Sequence, residues 1–182
     1  KPEQLVQIRE AGLDRIHVGL ETGDDEILQI IRKGVTSAEQ IAGGQKAMAA
    51  GFQLSEYWMP DLGGRERWRQ HAENTARVLN EINPHYIRSR PLVPRRGTQI
   101  FADYEQGRLH ISSPHERLEE LQVMIENLHV TSRVCFDHNM NAWADEKGGL
   151  LFSQSYEGYK FPEEKPQVLD LIRKGLSVDE SR

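Results

Sequence analysis

Strand and helix patterns alternate through the first 92 residues, and this alternation narrows the possible folds more than any other feature. Leu5, Ile8 and Ala11 lie at helical spacing, and Gly12 fits the left-handed stop that follows a helix. Residues 15–20 read as a strand. Asp24 or Asp25 can cap the next helix, whose apolar face is Ile27, Leu28 and Ile31 and which ends at Gly34. Thr36 to Glu39 is a capping box that opens a helix running to about Ala50, with Gly51 as its stop. Residues 52–59 read as a second strand. Beyond the Gly63-Gly64 loop, Trp68, Ala72, Thr75, Leu79 and Ile82 form one face of a long helix, which Asn83-Pro84 breaks. Residues 85–92 read as a third strand. Helices of this length between strands predict right-handed βαβ crossovers and a parallel sheet.

Three strands are too few for a closed barrel or a typical doubly wound sheet. The helix before the first strand implies a further strand ahead of it. The chain also starts at Lys1 rather than methionine. A piece of a longer protein is the expectation. Beyond Arg95 the character changes. Residues 94–112 read as a loop-rich link, and Ser113-Pro114-His115-Glu116 combines a capping box with proline at the first helical position. Leu118, Leu121, Ile125 and Leu128 give that helix its buried stripe. Residues 134–161 read as irregular, with a short hairpin around Gly148-Gly149, and a last helix runs from about Pro166 to Lys174 and closes at Gly175. The interleaved aromatics Trp143, Phe152, Tyr156, Tyr159 and Phe161 are expected to pin the irregular segment down. The reading is therefore an α/β fold of two parts. Residues 1–101 supply parallel strands, and residues 102–182 supply a helical and loop-rich extension packed on them.

Bulk properties remove several function classes. With 182 residues the chain can build an ordinary core, and a net charge of -5 argues against a broad surface for duplex nucleic acid. No run approaches the ~18 apolar residues of a membrane span, and a cytoplasmic setting is expected. The single cysteine, Cys135, excludes an internal disulfide framework and a centre held by several thiolates. Cys135, Asp137 and His138 stand close together but match no zinc spacing, and an Asp/Asn-rich turn accounts for them as well. No metal ligand is predicted.

Strand parity points to a polar face. In the first strand Ile16, Val18 and Leu20 share one side, while His17, Gly19 and Glu21 share the other. In the second strand Gln53, Ser55, Tyr57 and Met59 oppose Leu54, Glu56 and Trp58, and parity alone leaves the inward side open. In the third strand Tyr86, Arg88 and Arg90 share a side. Buried arginines need anions, water or a ligand. Each residue also has a plain structural role open to it. Glu21 can cap a helix or pair with Arg88 or Arg90, and His17 can be a satisfied interior histidine. The carboxyl ends of parallel strands are nevertheless where α/β sheets and barrels bind ligands.

Three segments, taken in order, carry a resemblance: VGLETGDDEILQIIRKGVT, AGFQLSEYWMPDLGG and YIRSRPLVPRRGTQIF. Together they resemble the second half of a radical S-adenosylmethionine domain. The similar proteins are the Fe-S oxidoreductases of coproporphyrinogen-oxidase-like and methylthiotransferase-like type. The resemblance spans residues 3 to about 101 and implies the carboxyl half of a partial (β/α)6 TIM-like barrel. It also implies roles at matching positions. Glu21, at the end of the fourth barrel strand, would accept hydrogen bonds from the cofactor ribose, with Gly19 leaving room for the ligand. Met59 begins the segment that packs on adenine, where Asp61 replaces the glycine common in such proteins. Ser55 would be a polar contact, and Arg88 and Arg90 would meet the methionine carboxylate or the substrate.

The family's CxxxCxxC loop is absent. S-adenosylmethionine and a [4Fe-4S] cluster are therefore expected in the parent protein, with neither bound to this chain, since three thiolates must hold such a cluster. Loss of the preceding strands would leave residues 15–20 with an unpaired edge, through which the chain is expected to dimerise. Two other readings stay open: a βα enzyme with a phosphate-bearing substrate, and a non-catalytic interaction domain. The acidic Asp24 and Asp25 oppose the first, and polar residues facing a barrel interior oppose the second. The substrate is not legible.

Overall fold

The computed structural model describes residues 1–141, 143–145 and 147–179. Helix α1 (Pro2–Glu10) turns into strand β1 (Arg15–Glu21) at Gly12, whose φ of 102° lies in the region that favours glycine. Asp24 caps α2 (Asp25–Ile30) by accepting from the Ile27 amide. Both halves of the Thr36–Glu39 capping box form at the start of α3 (Ser37–Ala49). Strand β2 (Gln53–Trp58) leads to α4 (Gly64–Ile82), which Asn83 ends in the left-handed conformation before β3 (Tyr86–Ser89). These strands pair in parallel, β1 to β2 and β2 to β3. Backbone bonds from Arg90 to Trp58 and from Leu92 to Pro60 carry the pairing on past β3, along the expected 85–92 stretch.

The second half departs from expectation in its strands. A short helix, α5 (Gln99–Glu105), lies in the stretch read as a link. Helix α6 (Pro114–Asn127) starts at Ser113 with its capping box complete. Strand β4 (Arg133–Cys135) then joins β3 in parallel, and β5 (Tyr159–Lys160) pairs antiparallel with β4. The result is one five-stranded sheet in the order β1-β2-β3-β4-β5. Residues 134–161 are thus not wholly irregular, because two strands lie at their ends. Strands of three and two residues are too short for alternation to show. A bridge between Ala144 and Leu150 forms the hairpin expected at Gly148-Gly149. The last helix, α7 (Lys165–Ser177), passes through Gly175 rather than ending there.

The parity question of β2 is settled by what the sheet packs against. Leu20, Leu54, Trp58, Ile87, Val134 and Phe136 join residues of α4, α6 and α7 in one core. This core runs through both halves of the chain. Trp143, Phe152, Tyr159 and Phe161 enter it, with Phe136 and Phe152 stacked at 4.3 Å. Tyr156 does not, and is 48% exposed. A smaller apolar group, Ile27, Leu62 and Leu92 with Met59 against it, caps the carboxyl ends of the strands. The opposite sheet face carries the polar set. The register places His17 beside Ser55, Ser55 beside Tyr86, Tyr57 beside Arg88 and Arg88 beside Cys135.

Candidate functional site

The polar face is organised by arginine. Arg88 is fully buried, and its Nε donates to Ser55 Oγ at 3.1 Å. Its Nη1 lies 2.9 Å from Asp137 Oδ2, an ion pair without hydrogen-bond alignment, so neither terminal nitrogen has a hydrogen-bond partner among the described residues. The Tyr156 ring covers the guanidinium at 3.8 Å. Arg90 reaches both oxygens of the same Asp137 carboxylate, each at 3.3 Å, and lies over the Tyr57 ring. Burial pushes the Asp137 carboxyl up, but Arg90 and Arg88 beside it hold it below its ordinary value. Asp137 and Tyr156 were not foreseen as site residues. No local pattern marks them, because only β4 and the loop before β5 bring them to β3.

At the amino end of this face Arg15 lies over Tyr86 at 4.5 Å and donates to its hydroxyl, which donates in turn to Glu157. His17 Nδ1 is 2.8 Å from the Tyr57 hydroxyl. Burial, and then the positive charges of Arg88, Arg15 and Arg90, push this imidazole down and keep it neutral. Cys135 is buried and its thiol is pushed up to about 12 by that burial. A protonated thiol is neither a nucleophile nor a metal ligand. His138 accepts from the Met140 amide, so the Asp-His-Asn stretch builds a turn. Among the described residues no group of three or more His, Cys, Asp or Glu side chains is placed to hold a metal ion.

Glu21 stands at the carboxyl end of β1 in a strained turn. Its φ is 65°, the Thr22 amide reaches back to the Leu20 carbonyl, and the register with β2 shifts at this point. A non-glycine residue in this conformation costs about 1–3 kcal/mol and clusters at functional sites. Neither structural role anticipated for Glu21 is realised. Asp24 caps the helix, Asp137 serves the arginines, and Glu21 Oε1 pairs with Lys33 Nζ at 3.1 Å. The space at Gly19 is taken by this same carboxylate, since a Cβ there would sit 2.2 Å from Glu21 Oε1. Ser55 is occupied by Arg88. Met59 turns its side chain to the small apolar group, while its amide donates to the Glu21 carbonyl.

A buried polar network on the helix side holds these strand ends together. The Thr22 hydroxyl donates to His71 Nδ1 at 2.8 Å, and His71 Nε2 donates to the Met59 carbonyl at 3.0 Å. Both ring nitrogens are thereby used by a neutral imidazole, which burial pushes down to about 4. Asp61 has a φ of 75°, pairs with Arg117 at 2.7 Å and donates its amide to Glu120. Burial pushes Glu120 up to about 8. This network ties the turn after β1 to the loop after β2. His71 comes to it from α4, and Arg117 and Glu120 from α6. The only sequence signal was a histidine and an acid lying within otherwise apolar helix faces.

Residues 1–61 match the family model of the Radical SAM superfamily. No curated protein matches the chain. The fold is similar to the archaeal Methanocaldococcus infernus Elp3 with N-terminus deletion (1–46), with a TM-score of 0.67 and 16% sequence identity over 96% of this chain. The chain spans 39% of that protein's length.

Proposed function

We propose that a chain with a radical SAM sequence over residues 1–61 and the matching α/β fold is part of a radical S-adenosylmethionine Fe-S oxidoreductase. Its polar sheet face forms one wall of that enzyme's chamber. The family implies S-adenosylmethionine and a [4Fe-4S] cluster in the parent protein, which would cleave the cofactor reductively to start radical chemistry. The single observation that carries the reading is Glu21, a carboxylate held in a strained turn at a strand's carboxyl end, inside the matched residues.

The residues present suit the two groups unequally. A buried, protonated Cys135 does not suit a cluster that needs three thiolates, so the cluster falls to residues outside this chain. Glu21 suits a ribose. A carboxylate only accepts, and a vicinal diol offers two donors. Lys33, now on Glu21 Oε1, would orient the carboxylate. A phosphate at the start of α2 is disfavoured, because Asp24 already fills that position and Asp25 and Glu26 add negative charge.

The test is calorimetric titration of S-adenosylmethionine into the full-length parent. Glu21→Ala should weaken binding about tenfold or more, which is about 1.4 kcal/mol, while the cluster's visible absorption is retained. Unchanged affinity would remove the assignment. The chain by itself is inactive on this reading, and iron and sulfide reconstitution that delivered ~4 Fe per chain would overturn that part.

A further inference from the structure

We propose that the wall built by β3 and β4 binds an oxyanion of the substrate, a carboxylate or a phosphate, through Arg88 and Arg90. The inference rests on the polar face being a chamber wall, and it names the class of molecule that enters. The first observation is charge. Arg15, Arg88, Arg90 and Arg133 share this face, and the carboxylates beside them among the described residues are Asp137 and Glu157, because Glu21 pairs with Lys33 at the far end of β1. A chain of net charge -5 thus gathers positive charge in one place.

The second observation is an unmet donor set. Arg88 is fully buried, its Nε donates to Ser55 and its Nη1 meets the Asp137 carboxylate at 2.9 Å, yet Nη2 has no hydrogen-bond partner among the described residues. Asp137 is divided between two guanidinium groups and leaves one positive charge over. An arginine fork is shaped for the two parallel oxygens of a carboxylate or phosphate.

The third observation is the cover. Tyr156 lies on Arg88 with its ring face, which supplies no acceptor oxygen, and is itself 48% exposed. An anion that displaced Tyr156 would replace its ring on Arg88 and its hydrogen bond to Arg15, and the terminal nitrogens of Arg88 would then face the chamber. The site is distinct from Glu21. It lies on the far side of β2, two strand spacings away, or about 10 Å. An anion held here leaves the β1 end free for a second molecule.

The test uses the 182-residue chain with succinate and inorganic phosphate as probes, followed by calorimetry and by the arginine Nε–H resonances in NMR. Saturable binding that shifts the Arg88 and Arg90 signals is expected. Preference for succinate assigns a carboxylate, and preference for phosphate assigns a phosphoryl group. Arg90→Gln, at a partly buried position, should weaken binding about tenfold. Asp137→Asn removes the competing carboxylate and should strengthen binding by a similar factor, whereas a purely structural ion pair predicts no binding in either protein. Absence of binding by wild type and Asp137→Asn, or binding indifferent to Arg90→Gln, overturns the proposal. If Asp137→Asn does not fold, by circular dichroism, wild type and Arg90→Gln decide. The assay needs neither S-adenosylmethionine nor Glu21, so its failure is separable from failure of the cofactor reading.

Discussion

His71 and Glu120 approach within 3.5 Å in the same buried network, and burial moves them in opposite directions. The histidine, pushed down to about 4, stays neutral, and its contribution to stability is present above its unfolded value of 6.5 and lost as pH falls towards 4. The acid, pushed up to about 8, stays protonated. Its contribution is full below the unfolded value of 4.5 and is lost as pH rises through about 8. Between 4.5 and 6.5 the two slopes oppose each other. Above 6.5 only the acid's remains, joined by Glu56, which burial also pushes up to about 8. Urea midpoints should therefore fall from pH 6.5 to 8.5. Glu120→Gln should flatten that limb, raising stability at pH 8.5 by about 1–2 kcal/mol, because a neutral amide can still accept from the Asp61 amide and adds a donor. A parallel decline in the variant would show that the acid is charged in the folded protein. The position of Glu21 at a strand end was legible in the sequence. Its partner Lys33 was not, since the turn that joins them is set by a left-handed φ at Glu21 itself, which no propensity forecasts.

The helices illustrate how far local signals reach. Capping boxes at Thr36 and Ser113 set two helix starts that agree with the structure, because both donors and acceptors lie within four residues. Packing between helices is another matter, and two neighbouring glycines in α3 separate the cases. A Cβ at Gly44 would come within 2.7 Å of Ile82 on α4, while one at Gly43 meets nothing within 4 Å. Gly43→Ala should stabilise the protein by about 0.5–1 kcal/mol, the ordinary helix-propensity gain. Gly44→Ala should lose about 1–3 kcal/mol, because overpacking outweighs that gain. Urea denaturation of both variants checks the pair, and equal effects would mean that α3 and α4 are not in close contact there. Strands β4 and β5 were missed for a related reason. β4 takes strand form because β3 offers an unpaired edge, and β5 because β4 then offers one, conditions that exist only after the sheet has begun to assemble.

At the level of the whole molecule, β1 is the first strand of the sheet and among the described residues pairs only with β2, and Val18 on it is 40% exposed. An open strand edge is a template for another chain. We propose that the chain dimerises through this edge, and light scattering across a wide concentration range should show a dimer that Val18→Lys returns to monomer. A monomer at all concentrations would refute it. No helix among the described residues is long and apolar enough to cross a membrane. The sequence by itself determined the α/β class, the order of the first three strands, most helix starts and the row of polar residues on alternate strand positions. These follow from backbone periodicity and capping chemistry, which act over a few residues. Only the tertiary structure decided that β2 turns Ser55 and Tyr57 to the polar face and Glu56 to the helices, that Asp137 is the partner of both arginines, and that Tyr156 lies over Arg88. These pairings join residues some 30 to 70 positions apart, and they arise because burial forces charges together once the core has closed.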